Sequence, residues 1–173
     1  NIRDITLIRQ YKKLTDAGAK AVLLSSSVAE AAVLVREVVA LPPGQRVPII
    51  SHWGITSGTF LKQAGPALSD VDFSVIQTFS FFNADKQMLA RFMKSAAQTS
   101  SIQRFENIEA PIGAAHAYDL MHILAKAIDL AGSTERSAIR DALEKVPEYR
   151  GLVRLYKPPF TPARHEALGP DEQ

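Results

Sequence analysis

Side chains that could bind a small molecule follow two short apolar runs, at residues 21–24 and 47–50. They are Ser25, Ser26 and Ser27 after the first run, and His52, Trp53 and Gly54 after the second. Both runs are typical of buried strands, and ligands of an open parallel sheet bind outside the carboxyl ends of its strands. The indole of Trp53 could be a stacking face for a ligand or a plug at the end of the sheet, and its position alone favours neither.

A catalytic interpretation of the second loop rests on GITSG, residues 54–58, which resembles a nucleophile elbow with threonine in place of serine. Such an elbow needs an acid and a histidine later in the chain, and no Asp then His pair follows in an obvious strand-end position. We therefore expect no catalytic residues and no enzyme activity.

A metal interpretation rests on His116, Asp119 and His122, which are spaced by three residues on a predicted helix. The surrounding residues are apolar, which favours a hydrogen-bonded stripe facing a neighbouring helix. Ser27 and Glu30 fit a capping box, although a helix amino terminus also attracts carboxylates. No dinucleotide, P-loop or zinc-protease motif is present, so we expect neither a cofactor nor a metal.

Helices and strands alternate over the first 79 residues. A first helix is predicted to be capped by Asp4 and closed at Gly18, with Leu7, Tyr11 and Leu14 on its apolar face. The strand at residues 21–24 does not alternate, which predicts apolar cover on both faces. A helix over residues 28–41, a strand, a short helix closed by Gly65 and a strand over residues 73–79 follow. This order predicts an α/β fold, with a parallel sheet and flanking helices.

Helices dominate the rest of the chain. The first is predicted to be capped by Asn83, and a long apolar helix over about residues 113–131 is predicted to be largely buried. Ser133 or Thr134 is expected to start the last helix. Residues 152–156 are predicted to form one more strand, before an irregular tail.

Charge and composition exclude several partners. The 173 residues contain 20 Lys and Arg against 18 Asp and Glu, with no long run of either sign, so we expect no nucleic-acid partner. No apolar run approaches the roughly 18 residues that span a bilayer, so we expect no membrane insertion, and the first residues lack a signal-peptide pattern. The absence of cysteine fits both a reducing and an oxidising compartment.

Four segments together resemble the branched-chain amino-acid family of periplasmic solute-binding proteins, which serve ABC transporters. They are KLTDAGAKAVLL, VPIISHWGITSGTF, QTFSFF and AHAYDLMHILAKAIDLAGS. The resemblance covers nearly the whole chain but only the later half of the family's length. It implies a carboxyl-terminal fragment of the type I periplasmic-binding-protein fold, which has two lobes.

The resemblance also implies a domain layout and a set of partners. Residues 1–80 would belong to the second lobe, residues 81–148 would supply helices to the first lobe, and residues 149–173 would cross back as a return segment and tail. Residues 80–83 would be a hinge. A small-molecule solute would bind between the lobes, in the periplasm, and a membrane permease would be the protein partner. The same fold also serves as the ligand-sensing domain of regulators and receptors, which is the alternative function.

One residue departs from the family pattern. Members that bind amino acids place a carboxylate in the second loop, and Trp53 occupies that position here. An indole can hold a cation by cation–π attraction or stack on an aromatic acid. The expected ligand is therefore either amino-acid-like or an aromatic carboxylate.

Overall fold

The structure is a computed structural model that describes residues 6–56 and 59–169. The chain divides into two compact units, of which the first ends at Gln77 and the second begins at Thr78. Among the described residues, no helix is both long enough and apolar enough to cross a membrane.

A three-stranded parallel sheet forms the centre of the first unit. Its strands are β1 (Val22–Leu24), β2 (Ile49–His52) and β3 (Phe73–Ile76), with β2 between the other two. Parallel neighbours require crossover connections, and here helices supply them. The predicted α/β class, with a parallel sheet and flanking helices, is confirmed.

Three helices pack with the sheet into one apolar core. They are α1 (Ile8–Asp16), α2 (Val28–Val39) and α3 (Phe60–Ala64). Helix α2 has an apolar face, because Ala31, Val35 and Val38 are fully buried in this core. Tyr11 from α1 is buried beside them, and its hydroxyl accepts a hydrogen bond of 2.7 Å from the backbone N–H of Val47. Burying side chains from all three helices fixes them against the strands.

Only one face of this sheet is covered within the described residues, so the prediction of two covered faces for β1 is wrong. Val22 and Ile49 point into the core, whereas Leu23 is 78% exposed and Ile76 on β3 is 65% exposed. Neighbouring strand residues point to opposite faces, and α1 to α3 pack on the Val22 side. An apolar run without alternation therefore does not establish cover on both sides.

Two helices of the first unit end at the glycines predicted to stop them. Gly18 follows α1 with φ of +93°, and Gly65 follows α3 with φ of +62°. Both conformations strain residues that carry a Cβ atom, so the predicted stops are confirmed. The predicted cap Asp4 lies outside the described residues.

Three helices and a short hairpin form the second unit. The helices are α4 (Lys86–Ser100), α5 (Pro111–Ala131) and α6 (Arg136–Leu143). The hairpin pairs β4 (Tyr149–Arg150) with β5 (Leu155–Tyr156) in antiparallel register. An aromatic cluster fills the core beside α4, where the rings of Phe79 and Phe81 meet edge to face at 4.9 Å.

Two predicted helix caps in this unit are misplaced. Asn83 lies in a 3-10 turn, and the true cap of α4 is Asp85, which accepts from the backbone N–H groups of Gln87 and Met88 at 3.0 Å. Helix α6 begins after Glu135 rather than after Ser133 or Thr134. Asx and hydroxyl residues cluster before both helices, and spacing alone does not show which side chain reaches the free N–H groups.

Two further predictions for the second unit are wrong. Helix α5 buries one side only, and Met121 on its other side is 63% exposed. The predicted strand over residues 152–156 is a turn followed by the two-residue β5. In both segments an apolar composition establishes neither full burial nor a regular ladder.

Asp119 of α5 binds the turn of the hairpin. It is fully buried, and its carboxylate accepts from the backbone N–H of Leu152 at 2.6 Å, that of Val153 at 2.8 Å and the hydroxyl of Tyr156 at 3.1 Å. Burial raises the pKa of Asp119, while these three donors lower it. A Cβ atom on Gly151 would overlap the carboxylate, so glycine permits the close approach.

Asp85→Ala should destabilise the second unit by about 0.5 to 2 kcal/mol, because two backbone donors of α4 lose their acceptor. Asn83→Ala is the matched control and should change stability little. Asp85 also faces Arg150 at 3.6 Å, but exposed pairs contribute little, so Arg150→Ala should be nearly neutral. Thermal melts and hydrogen exchange of the α4 amides measure both effects; an Asn83→Ala loss as large as that of Asp85→Ala would contradict the assignment.

Asp119→Ala should destabilise the second unit by about 2 to 4 kcal/mol, because it leaves buried donors in the turn without an acceptor. Asp129→Ala, on an exposed position of the same helix, is the control and should stay within about 0.5 kcal/mol of the parent. Denaturant unfolding measures both variants. Equal stability of the two variants would show that the turn does not depend on Asp119.

Candidate functional site

The two polar loops lie at the same edge of the sheet. Leu24, the last residue of β1, pairs with Ser51 of β2, and the two strands are parallel. Their carboxyl ends therefore point the same way, and residues 25–27 leave the sheet beside residues 52–54. The register therefore brings the two loops with the candidate binding residues to one edge of the sheet.

Ser51 connects the two strand ends. Its side chain is buried, and its hydroxyl donates a hydrogen bond of 2.7 Å to the carbonyl of Leu24. The sequence pattern places Ser51 among the loop residues, whereas the structure places it inside β2. Its period-2 spacing from the buried Ile49 is the signal that would have shown its inward direction.

The three serines differ in their surroundings. Ser25 and Ser27 are exposed, and Ser26 is half-buried, with its hydroxyl donating to the Ser27 carbonyl at 3.2 Å. Ser27 is the amino-terminal cap of α2, and the predicted capping box with Glu30 is present. The Glu30 carboxylate accepts from the Ser27 backbone N–H at 2.9 Å and also from its hydroxyl. Ser27 thus contributes to the start of α2, and a carboxylate already lies there.

His52 and Gly54 form a small local hydrogen-bonded ring. The Gly54 N–H donates to Nδ1 of His52 at 3.1 Å, so in the neutral imidazole the proton lies on Nε2. A Cβ atom at position 54 would lie 2.5 Å from Cε1 of His52 and 2.8 Å from its Nδ1. Glycine at position 54 therefore fixes how the exposed imidazole is presented at the sheet edge.

Trp53 begins a 3-10 turn, Trp53–Thr56, directly after β2. The Thr56 hydroxyl donates to the Trp53 carbonyl at 2.6 Å, and Ile55 is fully buried below the turn. Trp53 is 47% exposed, so about half of its surface is accessible at the sheet edge. An anchored backbone with a half-exposed ring is a suitable wall for a small ligand.

The other sequence candidates do not assemble into sites. Thr56 of GITSG donates within its own turn, and positions 57 and 58 lie outside the described residues. His116 bonds to the Thr78 hydroxyl, and His122 bonds to the Tyr118 carbonyl. Asp119 binds the hairpin turn rather than a neighbouring helix. In the described part of the chain, no three His, Asp or Glu side chains are grouped as a metal site.

Comparison with known proteins identifies the fold. No family model and no curated protein matches the sequence. A solved structure, a periplasmic binding protein type 1 from Bordetella pertussis, superposes with a TM-score of 0.80 at 23% identity over 99% of this chain. The fold is that of type I periplasmic binding proteins. The predicted architecture is therefore confirmed.

Two further solved structures share the type I periplasmic-binding-protein fold. One is the branched-chain amino acid transporter substrate-binding protein LivJ from Streptococcus pneumoniae, in complex with isoleucine, with a TM-score of 0.68 and 20% identity over 90% of this chain. The other is a fatty acid ABC transporter substrate-binding protein from Thermomonospora curvata, with a TM-score of 0.68 and 19% identity over 91% of this chain.

The chain spans less than half the length of these structures. It covers 46% of the Bordetella chain, 41% of LivJ and 40% of the Thermomonospora chain. The superpositions establish the type I fold, while the ligands named for LivJ and for the Thermomonospora protein differ from each other.

Gly54→Ala should displace the His52 ring, because the new Cβ atom would overlap it, and the Gly54 N–H would lose its acceptor. We expect a change from the Nε2–H tautomer to a mixture, with a stability loss of about 0.5 to 1.5 kcal/mol. Nitrogen NMR of the imidazole measures the tautomer. Gly44→Ala is the control, since a Cβ atom at position 44 would meet nothing within 4 Å; an unchanged tautomer in Gly54→Ala would contradict the local ring.

Proposed function

We propose that this chain is the solute-binding part of a periplasmic component of an ABC transport system. The ligand is a small amino-acid-like compound or an aromatic carboxylate, held at the sheet edge by residues 25–27 and 52–54, and a membrane permease is the partner that receives it. The transport roles named for LivJ and for the Thermomonospora protein support this proposal. A ligand-sensing domain with the same fold is the alternative.

The observation that carries this proposal is the exposed Trp53 at the shared carboxyl edge of β1 and β2. Parallel sheets bind their ligands at this edge. A tryptophan with 47% of its surface exposed there offers an apolar wall next to polar loops. Few polar groups around an apolar surface are the usual composition of a small-molecule site.

The side chains around Trp53 favour particular ligand groups. The Nε2–H of neutral His52 is a donor, and so is the hydroxyl of Ser25 on the neighbouring loop, so a ligand carboxylate has suitable partners. Residues 52–54 contain no carboxylate that could pair with an ammonium group. An amino group would therefore have two partners at this edge, the Glu30 carboxylate at the start of α2 and the indole face, where a cation gains about 0.5 to 2 kcal/mol.

The amino terminus of α2 contributes less to the binding of a ligand carboxylate than its position indicates. Backbone N–H groups at a helix start attract anions. Here the carboxylate of Glu30 already accepts from Ser27, so a ligand carboxylate would meet a like charge close by. This arrangement favours ligands whose carboxylate lies on the His52 side of the edge.

Trp53→Ala should weaken ligand binding by about 1 to 3 kcal/mol, because the mutation removes the stacking wall. The melting temperature should change little, since a half-exposed ring contributes less than a core residue, whose loss costs about 3 to 5 kcal/mol. Calorimetry with leucine, isoleucine, phenylalanine and phenylacetate tests binding. Leu61→Ala is the control, because Leu61 is an exposed apolar residue on α3.

The same titrations test how tightly this chain binds a ligand without the rest of the fold. A small ligand normally has 70 to 90% or more of its surface buried, so a chain that spans less than half of the fold should bind weakly, in the millimolar range on the order of −4 kcal/mol. Binding that is equally strong in Trp53→Ala and in the parent would contradict the proposed wall. A large drop in stability without a loss of affinity would return Trp53 to a structural role.

A further inference from the structure

A side-chain hydrogen bond links α5 to the segment that joins the two units. Thr78 is the first residue of the second unit, directly after Gln77. Its hydroxyl lies 2.8 Å from Nε2 of His116, which is on α5. The next residue, Phe79, is buried in the aromatic cluster of the second unit. The contact with His116 is thus the polar attachment at the point where the joining segment enters the second unit.

His116 is placed where a change of charge would disturb this attachment. The ring is half-buried, and burial lowers the pKa of His116, because an imidazolium ion loses hydration there. Histidine is the side chain whose ordinary pKa lies closest to neutral pH. A modest change in acidity therefore changes the charge at the joining segment.

The charged and titratable groups around the ring come from several elements. Asp119, three residues further along α5, raises the pKa of His116, but less than burial lowers it. That carboxylate also accepts from Tyr156 of β5, and its charge acts on Tyr149 of β4, which in turn is affected by Arg91 of α4. From the joining segment, the Thr78 hydroxyl bonds to the ring.

We propose that His116 is a pH-sensitive anchor of the segment that joins the two units. The neutral ring holds Thr78 in place, and the protonated ring turns towards water and releases it. The hydrogen bond could persist with an imidazolium donor, but the half-buried position would then hold a poorly hydrated charge. Release of Thr78 lets the protonated ring turn towards water and become hydrated.

The direction of the pH effect follows from linkage. The pKa of His116 is lower in the closed segment than in an open, hydrated one, whose value is near 6.5. The anchor therefore contributes fully above the open-state pKa and is lost as the pH falls through the closed-state pKa. Each unit of difference between the two pKa values corresponds to about a tenfold change in the opening equilibrium.

Hydrogen exchange of the Asn83 amide, which donates to the Ser80 carbonyl in the turn that follows the joining segment, tests the anchor in the full 173-residue chain after correction for the intrinsic exchange rate. Protection should be constant between pH 8 and 7 and should fall several-fold, up to about tenfold, as the pH is lowered to 5.5. NMR titration of the His116 ring in the same samples should give a pKa below 6.5. Constant protection over this range would overturn the proposal.

Four variants separate the anchor from other acid effects. His116→Gln keeps an amide that can bond to Thr78 and does not titrate, so protection should stay high at pH 5.5. Thr78→Val should lower protection at every pH. His122→Gln is the matched control, because His122 lies on the exposed side of the same helix and bonds to the Tyr118 carbonyl at 2.9 Å; it should behave like the parent. Asp119→Asn tests the neighbouring carboxylate.

Three outcomes would overturn the proposal. One is a His116→Gln protein that keeps the acid-induced loss of protection. Another is a His122→Gln protein that abolishes this loss, and the third is an Asp119→Asn protein in which the loss disappears although the His116 ring still titrates. The ring titration of the parent protein decides the question if a variant does not fold.

Discussion

The parallel register of β1 and β2 is the constraint on which the candidate site depends. Because Leu24 and Ser51 are paired and both strands run in one direction, the serine loop and the His52 loop must leave the sheet together. The buried hydroxyl of Ser51 strengthens this arrangement by bonding to Leu24 across the strand ends. Ladder bonds and helix packing hold β2, so Trp53 and His52 are displayed by a fixed backbone rather than by a free loop.

The second unit is organised by a different interaction, the buried carboxylate of Asp119. An ionised group without water is expensive unless donors surround it, and two backbone amides and a tyrosine hydroxyl do so here. The same hydrogen bonds attach the hairpin turn to α5 at Asp119. This explains how a short β4–β5 pair, too small to be stable alone, keeps a defined position in a mainly helical unit.

The sequence is informative where one residue's chemistry decides local structure. Gly18 and Gly65 end helices because positive φ angles favour glycine, and Ser27 with Glu30 begins α2 because both groups reach free backbone donors. Prediction fails where burial or capping depends on residues that are distant in the sequence and pack against the segment. The exposure of Leu23, the one-sided burial of α5 and the choice of Asp85 over Asn83 are set by neighbours that are distant in sequence or by the path of the chain.

The candidate site also has one feature that the sequence predicts and one that it does not. Its position follows from strand order alone, since strand ends of a parallel sheet share an edge. Its chemistry does not, because it depends on hydrogen bonds between close neighbours. Glu30 occupies the start of α2, and the Gly54 N–H selects the imidazole tautomer that directs a donor away from the turn. A three-serine loop at a helix start therefore attracts anions less than its composition indicates, and in the proposed site the indole and the Nε2–H of His52 would be the more selective groups.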